Sequence, residues 1–488
     1  MSRELPANPN LQYLRKEAKQ LHRTMPGARL AQAQHALARE YGFADWAKLK
    51  ARVFARELPP ADALTHAVRE MDAAKVRALL KCHPELKARI NEPLEGYGFG
   101  AQALFAAVQR SDRATIDVLL EAGAEINRRT EWWAGGFGVM DECAPEMVEF
   151  LVERGAVIDA YAAARLGMIE KLQELVAAVP EVVRARGGDG QTPLHFASTV
   201  EVARFLLEHG AAIDAEDVDH ESTAAQYMLR TEHKRHYPRD RRDVARYLVE
   251  HGCRTDILMA SALGDLALVR RHLDHDPECI RMSVSPRWFP MKNPRAGGTI
   301  YIWTLGQNRT PHTVAREFGH EDVFAALMER TPDDLKLALA CELGDEAVFR
   351  GYLAKNPETT REIAEPERDR LPNAAQSNNT NAVRLMLEAG WPVNAPGAMG
   401  ATALHFAGFN GNAEMARTIL RFHPELELKS REYAGTALSW ALFGSGNGWY
   451  SDTGDFVATV KALLDAGAKL PQDAEKLEPS DAVLEMLP

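Results

Sequence analysis

Apolar positions recur three and four residues apart in short runs along the chain, and many of these runs close in the same way. Six segments show the closing pattern: "LLEAGAEIN" (119–127), "LVERGAVID" (151–159), "LLEHGAAID" (206–214), "LVEHGCRTD" (248–256), "MLEAGWPVN" (386–394) and "LLDAGAKL" (463–470). Two apolar residues finish the buried stripe of an amphipathic helix. A glycine then stops it, because the left-handed region costs glycine no Cβ clash. A small or apolar residue follows, and in most copies Asn or Asp starts a turn. Stretches such as "ILMASALGDLALVRRHLDHDPECI" and "LKLALACELGDEAVFRGYLAKNPE" keep the rhythm between clear copies. The pattern predicts about twelve helix-pair units, several of them degenerate, with links of varying length.

A second element accompanies these ends. Residues 190–197 read "GQTPLHFA" and 400–407 read "GATALHFA", with weaker copies in "RTPHTVA" (309–315) and "GTALSWA" (435–441). Thr caps the next helix, and Pro, where present, takes its first position with φ already set. With Thr192, Pro193, Leu194, His195 and Ala197 in place, the chain resembles the ankyrin repeat family over about 60–488. The resemblance implies an all-α repeat solenoid: a turn or finger plus two antiparallel helices per unit, stacked because one unit cannot bury its own apolar faces. It also implies that fingers and inner helices line a concave binding surface. The hallmark histidines, His195 and His405, would by the same resemblance hydrogen-bond neighbouring turns.

Residues 1–57 read differently. "LQYLRKEAKQLHRTM", "ARLAQAQHALAREYGF" and "ADWAKLKARVF" predict three short helices, broken at Pro26-Gly27 and at Gly42–Asp45, with Asp45 as a cap and Tyr41, Phe43 and Trp46 on the buried side. The expectation is a basic N-terminal cap domain (1–57) covering the first repeat of a solenoid that runs from 60 to 488. "AREYGFADWAKLKAR" has a faint helix-turn-helix look, but the chain around it is acidic.

The repeat is interrupted at 127–146, 231–243, 281–308 and 441–456, and a scaffold alone has no reason to carry such breaks. In the first, Trp132, Trp133 and Phe137 surround Ala134-Gly135-Gly136, where the backbone can bend sharply and approach a ligand closely; the plain alternative is that the aromatics plug a short repeat. In "DAEDVDHEST" (214–223), alignment on "GGDGQT" sets Asp219 against Asp189 and puts His220 in the place of Gly190, a finger position that usually needs a positive φ. A non-glycine residue there would be strained. Asp217, Asp219 and Glu221 gather three carboxylates at one imidazole, a set able to bind a metal or poise a general base, or to form nothing more than a solvated turn. The 231–243 insert is basic and reads as a surface loop able to steer an anion. In 281–308, "TIYIWTL" predicts a strand with Thr299, Tyr301, Trp303 and Leu305 on one face, so the segment reads as a β-hairpin grown from a finger. Trp288, Phe289, Tyr301 and Trp303 then stand beside Lys292 and Arg295, cations next to aromatic walls. In 441–456, Gly444, Gly446 and Gly448 precede Trp449-Tyr450 on a predicted loop.

Charge changes the picture only locally. The net charge of −11 divides into +6 over residues 1–57, from 11 Lys/Arg and 5 Asp/Glu, and −17 over the rest. An acidic body is unsuited to general nucleic-acid binding. No apolar run reaches the ~18 residues a membrane helix needs, and the N-terminus carries no apolar leader. Five scattered cysteines, Cys82, Cys143, Cys253, Cys279 and Cys341, predict neither disulfides nor a zinc site and fit a cytoplasmic setting. No GxSxG, HExxH, Walker A or Rossmann fingerprint occurs. The reading is a cytoplasmic binding protein that takes a protein or peptide on its concave face, with no cofactor and no metal called for and self-association left open. The alternative is a pocket for an anionic small molecule, or a cofactor-independent enzyme performing proton transfer, elimination or hydrolysis with His220, Asp219 and Arg295. The candidate contact residues are Trp132, Trp133, Phe137, Asp219, His220, Trp288, Phe289, Lys292, Arg295, Tyr301 and Trp303.

Overall fold

All six glycines of the helix-end pattern adopt a positive φ: Gly123 (99°), Gly155 (92°), Gly210 (89°), Gly252 (85°), Gly390 (91°) and Gly467 (100°). The structure, a computed structural model, describes residues 11–25, 30–46, 48–49, 59–229, 240–355 and 367–487, together with positions 3, 5 and 363. Contacts divide it into two units, residues 1–255 with 289–305 and residues 256–288 with 306–488.

Apart from the two N-terminal helices, the described residues hold six helix pairs in each unit. In the first, Ala103–Gln109 with Arg113–Glu121 and Pro193–Phe196 with Val200–Glu208 are typical; in the second, Arg370–Gln376 with Thr380–Glu388 and Ala403–Phe409 with Ala413–Leu420. Most second helices start on a side-chain cap. The Asp112 carboxylate accepts from Thr115 N at 3.1 Å and the Asn412 carbonyl from Met415 N at 2.9 Å, each satisfying an orphan donor of the first turn. Inner helices are buried almost throughout, as in Ala103 to Val108 and Ala403 to Ala407. A fully buried Leu, Val or Phe is worth about 1.5–3 kcal/mol, and such side chains recur in every unit.

The Asn and Asp residues of the helix-end pattern do more than start turns; they join consecutive repeats. Asn127 donates to Gly155 O (2.9 Å) and accepts from Val157 N (2.8 Å), and Asp214 accepts from Arg254 N (2.8 Å). His195 Nδ1 accepts from Thr192 N (3.1 Å), leaving Nε2–H to donate to Ser222 O (3.2 Å). His405 does the same between Thr402 N and Gly435 O, so both hallmark histidines bind neighbouring turns.

At the N-terminal end, helices Leu11–Arg23 and Leu30–Glu40 share a core of Leu14, Ala18, Leu37, Ala38, Tyr41, Trp46 and Leu49, with Phe43 packed against it. Asp45 accepts from Lys48 N at 2.8 Å, the predicted cap. Most of the third predicted helix lies outside the described residues.

The predicted β-hairpin at 281–308 is absent. Among the described residues there is no strand, only isolated bridges Pro93–Gln102 and Glu216–Thr223. The segment runs through turns into a π-helical stretch, Ile302–Gly306. Tyr301 and Leu305 are fully buried, while Trp303 is 58% exposed, so the alternation of a strand is lost. The reason lies in where the backbone amides go. Gly297 N and Ile300 N donate to Asp219 O and Ser222 Oγ, at 2.9 and 3.1 Å, which removes them from any ladder across the segment. Local β-propensity gives way to that tertiary pairing. Residues 441–447 are likewise helical, within Ala437–Asn447, and not a loop. A Cβ on Gly444 would lie 2.5 Å from Phe409 O, so this glycine permits close helix packing.

Candidate functional site

The fingers of the first unit are tied tip to tip by backbone hydrogen bonds. Glu131 N donates to Gly100 O (3.1 Å), Asp189 N to Gly135 O (3.1 Å), Val218 N to Asp189 O (2.8 Å) and Gly297 N to Asp219 O (2.9 Å). This close stacking leaves no room for side chains at the contacts: a Cβ on Gly135 would sit 2.1 Å from Gly187 O.

Two neighbouring fingers differ by one residue. The finger at 187–192 closes with Gly187 N on Gln191 O at 2.8 Å and carries consecutive positive φ values at Asp189 (54°) and Gly190 (73°). The next closes with Asp217 N on Ser222 O at 3.0 Å, one residue further on. Its positive φ falls on Glu221 (46°) and not on His220, which corrects the alignment expected from sequence. The extra residue is accommodated by Asp217, whose carboxylate accepts from Asp219 N (3.1 Å), His220 N (2.7 Å) and Ser222 N (2.8 Å). Asp217 is therefore the frame of the turn.

The 292–300 segment is anchored on this longer finger. Glu221 accepts from Lys292 N (2.9 Å) and Asn293 N (2.8 Å), so its strained backbone presents a carboxylate to two amides. His220 Nδ1 lies 2.7 Å from Gly298 O. A carbonyl only accepts, so Nδ1 carries the proton and Nε2 keeps its lone pair in the neutral ring. That Nε2 lies 3.9 Å from Asp189 Oδ2 and 3.8 Å from Asp219 Oδ2.

Carboxyl groups are concentrated here without a Lys or Arg counterpart among the described residues. Asp189, Asp217 and Asp219 are 7%, 3% and 5% exposed, and among the described residues no Lys or Arg pairs with them. Burial first, then the neighbouring Asp219 and Asp217 carboxylates, pushes Asp189 up to about 8. Burial also raises Asp217 against the pull of its backbone donors. The Trp132 indole N–H lies beside Asp189 and acts the other way, without closing a full hydrogen bond: Trp132 Nε1 and Asp189 Oδ1 are both buried and unpartnered.

Around this centre the predicted residues divide. Trp132 and Trp133 are neighbours, with rings 6.2 Å apart, and the Arg295 guanidinium stacks 4.6 Å from the Trp133 ring. Arg295 is exposed and makes no ion pair among the described residues. Trp132, Trp133, Asp219, His220 and Arg295 thus gather along one row of fingers. Lys292 turns to Glu216 at 3.1 Å. Phe137 is buried in the core, Phe289 packs edge-on to buried Tyr301 at 5.3 Å, and Trp288 belongs to the second unit. Asp189 joins this group although the sequence gives it no more prominence than any polar finger tip. Its signal was the repetition of Asp in two successive finger tips.

The second unit holds a polar cavity of about 350 Å³ lined by Trp288, Arg281, Arg287, Asn308, Asp369 and Arg370, among others. Its charges are largely matched. Arg370 bonds Glu342 at 2.6 Å and also Glu367, and Arg281 bonds Asp334 at 2.7 Å. Of the basic insert, 231–239 lies outside the described residues. Arg241 is buried, donating to His195 O (2.6 Å) and Tyr227 O (3.0 Å). The five cysteines are free, and among the described residues no helix is long and apolar enough to cross a membrane.

Comparison with known proteins agrees with this architecture. Residues 371–420 match the family of ankyrin repeats in many copies, and residues 189–218 match the single ankyrin repeat. No curated protein matches the chain.

Proposed function

We propose, from the premise that this chain carries ankyrin repeats, that it is a binding protein which captures a carboxylate-bearing protein or peptide segment along the finger row of its first unit. Ankyrin repeats generally mediate protein–protein interaction. The observation that carries the finer reading is Arg295, an exposed guanidinium stacked on Trp133 and left without a carboxylate of its own. A guanidinium flattened on an aromatic face presents its N–H fork to an incoming carboxylate. Exposed Trp303 and Phe99, in the same unit, add apolar contact area. The concave face, the cytoplasmic setting and the partner class belong to this proposal.

The test is binding of a partner identified by photo-crosslinking from position 303. Arg295→Ala and Trp133→Ala are each expected to weaken it at least tenfold, about 1.4 kcal/mol, with the helical signal unchanged. Equal capture by both variants would contradict the assignment. A second reading, a small anionic molecule held by Arg295 and Trp133 with Asp219 and His220 in acid–base roles, draws on the lone pair left at His220 Nε2. Native mass spectrometry of the purified protein separates the two: a stoichiometric small ligand favours this second reading.

A further inference from the structure

We infer that Asp189, Asp219 and His220 form a binding site for a first-row divalent metal ion. Their donor atoms lie within 4.8 Å of one another, and all three residues are buried. A point equidistant from atoms so spaced lies about 2.1–2.5 Å from each, the range of metal–nitrogen and metal–carboxylate bonds. One imidazole nitrogen with two carboxylate oxygens suits Zn²⁺, Mn²⁺ or their first-row neighbours.

Three features distinguish this set from an ordinary acidic turn. The His220 ring is already oriented, because Nδ1–H donates to Gly298 O at 2.7 Å. That is the outer-shell bond that aims Nε2 of a ligating histidine. The turn itself is held by the third carboxylate, Asp217, which is engaged with backbone amides; Asp219 gives its Oδ1 to Gly297 N at 3.2 Å and keeps Oδ2 turned towards His220 Nε2 at 3.8 Å. Finally, Asp189 is 7% exposed and its Oδ1 is buried without a hydrogen-bond partner. The other oxygen, Oδ2, is the one that faces His220 Nε2 at 3.9 Å, and with no Lys or Arg paired to this desolvated carboxyl group among the described residues a cation held there would offset the cost of its burial. Gly297 closes over the group without filling it: a Cβ there would lie 3.4 Å from Asp219 Oδ2 and 3.3 Å from His220 Cε1. Three protein donors leave positions open for water or for an anionic group of a bound molecule. A cation here occupies His220 Nε2, so it displaces the role of that atom as a free base. The peptide reading at Arg295 and Trp133 does not depend on it.

The experiment uses the full chain stripped with a chelator and dialysed, then titrated with Zn²⁺ against a chromophoric competitor and with Co²⁺ by visible absorption. Expected is one ion per chain, with a Co²⁺ spectrum of mixed nitrogen and oxygen ligation. Asp189→Asn, whose side chain tolerates the left-handed backbone at that position, and His220→Gln should each lower affinity at least a hundredfold. Uptake that is absent in the wild type, or equal in the wild type and the Asp189→Asn/His220→Gln double variant, overturns the assignment.

Discussion

The fingers at 187–192 and 217–223 stand one repeat apart and serve the same structural purpose, yet they use their polar groups in different ways. The shorter one is glycine-rich and takes two positive φ values in succession, and its tip carbonyl receives the next finger. Its counterpart in the second unit is built alike: Gly397 N bonds Ala401 O at 2.8 Å, with Met399 and Gly400 at φ 60° and 67°. The longer finger has one residue more, holds its shape with the Asp217 carboxylate, and projects Asp219, His220 and Glu221 from the tip. A regular finger consumes its hydrogen-bonding capacity in stacking. The irregular one anchors a whole segment through Glu221 and still leaves His220 Nε2 uncommitted.

The contrast breaks most severely at the short finger. A Cβ on Gly190 would lie 2.3 Å from Val218 Cγ2, in a backbone that side chains rarely adopt. Gly190→Val is expected to cost about 3–5 kcal/mol in denaturant unfolding. A loss below 1 kcal/mol would mean that the fingers are not closely stacked.

The two histidines sharpen the comparison at the next level. His195 is fully buried between Thr192 and Ser222, whereas the His220 ring makes one hydrogen bond, to Gly298 O. His195→Ala should cost about 2–4 kcal/mol and His220→Ala about 1 kcal/mol at pH 7. Burial, against the favourable bond to Ser222, lowers His195 to about 4. Between pH 6.5 and that value the unfolded chain takes up a proton that the folded chain refuses. The stability from neutral His195 is therefore complete above pH 6.5 and lost as pH falls towards 4. Urea titrations across this window should show the wild type losing its advantage over His195→Ala.

Much of this architecture was legible because it is local and repeated. The helix-end glycines, the Thr caps and the hallmark histidines each state a backbone requirement in one residue. Tyr41 and Trp46, expected on the buried side of the N-terminal helices, lie in their shared core. The site was legible in its members but not in its assembly: Trp132, Trp133, Asp219, His220 and Arg295 come together, and nothing in their sequence separation required it. The single inserted residue moved the strained position from His220 to Glu221, a shift that ungapped alignment cannot detect. The hairpin failed for a related reason. The β-formers of 299–305 were read by propensity, while the fate of their amides was decided by a turn some eighty residues earlier. Asp189 was overlooked because in one finger it reads as an ordinary polar tip. Only the stacking of the next finger turns it into one of three acids.

The central claim is that the longer finger and Asp189 gather buried carboxyl groups around a free imidazole nitrogen, a set that a cation would bind. Thermal unfolding of chelator-stripped wild type and Asp189→Asn, each with and without saturating Zn²⁺, tests it most directly. Without metal the variant should melt at or above the wild type, since a buried acid crowded by Asp217 and Asp219 has been replaced by an isostere that cannot ionise. With Zn²⁺ the wild type should gain several degrees and overtake the variant, which should not respond. A variant that melts well below the wild type in the absence of metal, or a wild type indifferent to Zn²⁺, would contradict the account.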